Sequence, residues 1–177
     1  MCGRIVRDRI DQYGESFDLV DFDEARVPRR FNIAPTQVDV IVRAHDDGRR
    51  LDESRWGLVP VWAKERRIGS RMFNARAETL MEKTAFRGLV GSRRCVIPAS
   101  GFYEWQRAPD RKVPLYIYRA DGWPLALAGA LHFLARPVHR RVGHVTHHRH
   151  VWPKRIHGAY PQSDAGDPWE GCAGALA

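Results

Sequence analysis

The chain has few cysteines. Only Cys2, Cys95 and Cys172 occur, an odd number with no CxxC spacing, which excludes a disulfide framework and a four-ligand zinc site. No apolar run approaches the ~20 residues that cross a bilayer, and the N-terminus lacks the apolar stretch of a secretory signal. An unprocessed, cytoplasmic chain without a membrane partner is therefore expected. Acidic residues are also in deficit. Lysine plus arginine number 29 against 21 aspartates and glutamates, a formal charge of +8. A pI near 9.9 makes a polyanion such as nucleic acid a plausible partner, against the plainer alternative of a solvated basic surface.

What is present fits one folded domain. The length of 177 residues is enough for a core and short for two, and 44% hydrophobic with 28% charged residues is ordinary for a globular protein. Short strands with turn punctuation are predicted at 3–6, 38–43, 55–59, 94–97, 102–106, 114–118 and 124–128. Asp47-Gly48 and Asp121-Gly122 are hairpin dipeptides, and 108–112 reads as a polar loop between two aromatic-rich strands. Helical character is predicted at 17–25 and 77–88. The class is α+β: a strand-rich single domain with an antiparallel, barrel-like sheet and a few short helices.

After about Leu131 the texture changes. Seven of the eight histidines fall within 132–157, followed by a Gly/Ala/Pro/Asp-rich end. No regular structure is predicted there, and without a strand or helix to fix geometry the histidines are not read as a metal site. Neither metal nor cofactor is expected.

Cys2 carries the most chemistry. A small residue after the initiator methionine permits its removal, leaving a thiol beside a free α-amine. That amine, with a pKa of about 7.7 to 8.0 against about 10.4 for lysine, has a neutral fraction several hundred times larger at pH 7. It would attack an aldehyde to give an imine, and the thiol can close onto the imine carbon as a five-membered thiazolidine. The alternative is an accidental second-position cysteine.

Three further segments bear on that choice. Phe73-Asn74-Ala75-Arg76-Ala77-Glu78 sets an amide, a guanidinium and a carboxylate at a predicted helix start, where backbone N–H groups favour a phosphate; a capped helix with a surface arginine is the alternative. Pro98-Ala99-Ser100-Gly101-Phe102-Tyr103-Glu104-Trp105 holds one carboxylate among aromatics. Desolvation there would raise the Glu104 pKa and suit it to proton transfer, unless strand alternation turns it outward while the rings pack. Trp56-Gly57-Leu58-Val59-Pro60-Val61-Trp62 supplies two tryptophans suited to stacking on unpaired bases, although tryptophan more commonly packs in cores.

Together with Met1-Cys2-Gly3-Arg4 and Phe31-Asn32-Ile33-Ala34-Pro35, these segments, in this order and spacing, resemble the SRAP family (SOS response-associated peptidase domain, the abasic-site processing proteins) from Cys2 to about Leu131. The resemblance implies a DNA-damage function. It implies a basic groove that binds single-stranded DNA and an N-terminal cysteine that crosslinks to the ring-opened aldehyde of an abasic site. It implies Cys2 as nucleophile, Asn74 as a polar group near the sugar and Glu104 as acid/base. Arg4, Arg76 and Trp56 resemble DNA-contacting positions. The implied peptidase activity is removal of Met1, and a monomer is expected. Two other readings stay open: an N-terminal-nucleophile cysteine amidohydrolase, and a non-catalytic basic DNA-binding module.

One family feature is missing. Members continue with a strand and a His-x-Arg-Met-Pro motif, whose histidine helps crosslinking and release. Codons for residues 156–166 can be chosen that, read one nucleotide later, spell F-T-E-P-I-H-S-R-M-P-V. The expectation is a frameshift between Gly129 and Thr146, with 1–131 an incomplete SRAP domain and 132–177 a non-native tail, so that His157 is not the family's catalytic histidine.

Overall fold

A computed structural model describes residues 3–133 and 149–153. Among the described residues nine strands form two sheets. The first has the order β2-β1-β6-β7, from β1 (Arg4–Arg7), β2 (Arg30–Ile33), β6 (Gly101–Arg107) and β7 (Lys112–Tyr118). The second runs β3-β4-β9-β8-β5, from β3 (Val38–His45), β4 (Gly48–Trp56), β5 (Arg94–Ala99), β8 (Leu125–Phe133) and β9 (Arg149–Pro153). Its ends meet through one register pair, Val42 with Val96, so the sheet is barrel-like with a thin seam. All strand pairs are antiparallel except β4 with β9.

Both predicted turn dipeptides lie where the chain reverses. Gly48 (φ 130°) follows the β3–β4 turn and Gly122 (φ 82°) lies between β7 and β8, both conformations that favour glycine. The polar loop at 108–111 joins β6 to β7.

The core collects one side of each sheet. Ile5, Ile33, Ile41, Trp56, Cys95, Ile97, Ala99, Leu125, Leu127 and Leu131 form one buried cluster, with Phe73 and Phe102 packed on it. Each such large side chain contributes roughly 1.5–3 kcal/mol by leaving water. A buried ion pair also joins the sheets: Arg7 of β1 meets Asp39 of β3 at 2.8 Å.

Four expectations are corrected. Residues 17–25 are not a helix: α1 spans Tyr13–Ser16, and Asp18 (φ 50°) and Asp21 (φ 53°) turn left-handed, which a helix cannot accommodate. The predicted helix at 77–88 divides into a 3₁₀ turn (Ala77–Thr79) and α2 (Thr84–Val90), because Lys83 is extended (φ −76°, ψ 119°). The strand expected at 55–59 instead ends at Trp56. Gly57 (φ 130°) turns the chain so tightly against Gly69 that a Cβ would lie 2.4 Å from the Gly69 carbonyl oxygen. Finally, β9 lies where no regular structure was expected. It pairs with β4 on one side and β8 on the other; Val151 and Trp152 favour strand, and backbone pairing at two available edges tolerates varied sequence.

Candidate active site

The site assembles around the start of β1. Met1 and Cys2 lie outside the described residues, so Gly3 is the first fixed point. β1 lies against β6 with Arg4 opposite Tyr103, Ile5 opposite Phe102 and Val6 opposite Gly101. The ladder ends at Arg4 and Tyr103, the residues that follow Gly3 and precede Glu104. About a hundred positions separate the two strands in the sequence, and the ladder makes them neighbours.

Glu104 is half-buried. Strand alternation puts it on the same face of β6 as Phe102, which packs on the core, so it does not share the outward face of Tyr103 and Trp105.

The residue before Asn74 approaches the start of β1 by another route. A Cβ on Gly3 would stand 3.9 Å from the Phe73 ring, and Asn74 follows directly. The Phe73 carbonyl accepts a hydrogen bond of 2.8 Å from the Trp56 indole, and the two rings meet edge to face at 6.1 Å. Trp56 is only 5% exposed. It is a core residue that holds the Phe73-Asn74 segment, and no base could stack on it. Trp62, 60% exposed, is the accessible ring of that segment.

Arg4 donates to the Asn32 Oδ1 at 2.9 Å, which brings β2 into the site. Asn32 lies in a quoted motif but had no assigned role; the only signal was a polar residue between Phe31 and the fully buried Ile33. Arg76 is exposed, two residues past Asn74. The helix that was to favour phosphate beside it is a single 3₁₀ turn, too short for an N-terminal dipole site.

Other reactive groups stand apart. Cys95 is 3% exposed, and burial pushes its thiol well above the usual range, so it is not a nucleophile. Cys172 and the histidines at 139–148 and 157 lie outside the described residues. Among the described residues no group of three His, Cys, Asp or Glu side chains could hold a metal ion, and no helix is long and apolar enough to cross a membrane.

The model of the SOS response associated peptidase (SRAP) family matches residues 1–150. The chain belongs to the SRAP family. It is 42% identical over 132 residues to the abasic site processing protein YoqW of Bacillus subtilis (strain 168), covering 73% of this chain and 59% of that protein. It is 32% identical over 133 residues to the abasic site processing protein YedK of Escherichia coli (strain K12), covering 72% of this chain and 58% of that one. The chain thus spans about three-fifths of the length of the curated relatives it matches. A crystal structure of a Bordetella bronchiseptica protein shares the fold at a TM-score of 0.68 and 22% identity, over 86% of this chain and 71% of that one. The strand-rich SRAP architecture expected from the sequence is the one observed.

Proposed function

We propose that this SRAP chain processes abasic sites by capturing the aldehyde of a ring-opened abasic sugar in single-stranded DNA through Cys2. The observation that carries the reading is the β1–β6 register, whose pair of Arg4 with Tyr103 brings the start of β1 against the residue before Glu104. The names of the relatives YoqW and YedK, abasic site processing proteins, point the same way.

Removal of Met1 by hydrolysis of the Met1–Cys2 peptide bond is the peptidase step. The exposed α-amine then attacks the aldehyde carbon to give a carbinolamine. Glu104, as acid, protonates the hydroxyl, which leaves as water and gives the imine. The Cys2 sulfur adds to the imine carbon and its proton passes to the nitrogen, closing a thiazolidine with net release of one water. Asn74 hydrogen-bonds the sugar, and Arg4 and Arg76 contact phosphates. Trp56 acts as a positioning residue behind Asn74, and Trp62 takes the stacking role. The protein works as a monomer in the cytoplasm, in the response to DNA damage.

The tail beyond residue 131 is a frame-shifted ending in this reading. The His-x-Arg-Met-Pro motif and its histidine do not occur in this sequence. Imine formation through Cys2 persists without it, while ring closure or release is slowed.

Incubation with an abasic single-stranded oligonucleotide tests the proposal. A heat-stable protein–DNA adduct is expected from the wild type and none from Cys2→Ala. Equal adduct from both would remove Cys2 as nucleophile; binding without any adduct, falling steeply with salt, would favour a non-catalytic module.

A further inference from the structure

Resting on the crosslinking role proposed for Cys2, we infer that Ser100 is a positioning residue for that reaction: its hydroxyl pins the register of β1 on β6 and so fixes where the start of β1 lies along the strand that carries Glu104. Ser100 is 1% exposed and sits between β5 and β6. Its Oγ accepts two backbone N–H groups, from Asp8 at 2.9 Å and Arg9 at 3.0 Å, the two residues that follow β1. Its own amide donates to the Val6 carbonyl at 2.8 Å. One buried serine therefore ties down Val6, Asp8 and Arg9 at the far end of β1.

The strand needs such a pin. β1 has four residues and only three register pairs with β6. Its ladder with β2 is irregular between Ile5 and Arg7, so β2 sets the register less firmly. A slip of one residue would shift Gly3 by about 3.3 Å and turn each side chain to the opposite face. It would exchange buried Ile5 for Arg4. The face of β6 over Gly101 is covered as well: a Cβ there would lie 2.6 Å from the Tyr116 ring.

The experiment compares wild type, Ser100→Ala, Ser100→Thr and Val42→Ala. The last is a core truncation away from β1 that controls for loss of stability. Two quantities are measured: the adduct-forming rate at saturating abasic single-stranded DNA, and the affinity for the same oligonucleotide carrying a tetrahydrofuran in place of the sugar, which cannot form an imine. Ser100→Ala is expected to lower the rate at least about tenfold while affinity changes less than about twofold, because geometry is lost and the binding surface is kept. Ser100→Thr, which retains the acceptor oxygen, restores most of the rate. A Ser100→Ala rate equal to wild type, or reduced no more than that of Val42→Ala, would overturn the assignment. A wild type that forms no adduct would defeat the crosslinking reading instead. The register role is then decided by nuclear Overhauser contacts between Gly3 and Glu104, expected in wild type and lost in Ser100→Ala; their persistence in Ser100→Ala overturns it.

Discussion

The Trp56 indole N–H donates to the Phe73 carbonyl at 2.8 Å, and through that bond a buried core residue holds the peptide that leads into Asn74. Trp56→Phe keeps much of the ring volume and removes the donor. The Phe73 carbonyl then loses its partner in a partly buried place, at a cost of about 1–3 kcal/mol. Adduct formation is expected to slow while affinity for single-stranded DNA is kept. Denaturant titration and a rate measurement at saturating DNA separate the two effects. A large loss of affinity with an unchanged rate would mean that Trp56 touches DNA after all.

Glu104→Gln keeps the shape of the side chain and removes the proton donor. The rate of adduct formation is expected to fall by about 10²-fold or more, the range for a lost general acid. Binding of the tetrahydrofuran oligonucleotide should be unchanged.

The Arg7–Asp39 pair is the strongest electrostatic commitment of the fold. Both partners are buried, at 2% and 8% exposure. Burial pushes the Asp39 carboxyl above its ordinary range, and Arg7 opposes that rise. Asp39→Ala leaves a buried guanidinium unpaired and is expected to cost about 3–5 kcal/mol. Replacing both residues with apolar ones of similar size should recover most of that loss. Urea unfolding of the single and double variants is the check.

His132 lies on β8 and is 6% exposed. Burial, aided by the Arg93 charge, pushes its pKa below the ordinary value of 6.5. The unfolded chain therefore binds a proton near pH 6.5 that the fold resists, and stability contributed by neutral His132 is lost as pH falls below that value. The melting temperature should drop between pH 7 and pH 5, and the drop should be smaller in His132→Gln. An identical drop in both would remove His132 as its source.

Much of the fold was legible in the residues. β5 and β8 are rich in apolar residues, and the two Asp-Gly turns bound strands as such dipeptides should. β4 from Gly48 to Trp56 was largely missed because Arg49, Arg50, Asp52, Glu53 and Arg55 hide any apolar alternation. Its stability comes from pairing along the whole of β3 and from cross-strand charge contacts, Asp52 with Arg43 at 3.0 Å and with His45 at 3.1 Å. These are tertiary facts that no period in the sequence encodes. β9 was missed for a related reason, since edges supplied by β4 and β8 organise it.

The site was legible in part. Glu104, Asn74 and Arg4 were marked by their motifs, and the β1–β6 ladder and the Phe73 ring near Gly3 bring the strands and the segment that carry them to the start of β1. Trp56 was identified with its segment, but burial changes its role from contact to support. Asn32 and Ser100 carried no chemical signal of their own. Their importance comes from partners 28 and about 90 residues away, Arg4 for one and the Asp8 and Arg9 amides for the other.

The central claim is that nitrogen and sulfur of one residue both hold the lesion, and peptide mass spectrometry of the adduct after nuclease digestion tests it most directly. The account predicts that Met1 is absent and that the sugar remnant sits on a peptide beginning at Cys2. It also predicts that Cys2→Ser yields an adduct only when borohydride reduces the imine. A remnant mapped to any other residue, or a heat-stable, unreduced adduct from Cys2→Ser, would contradict it.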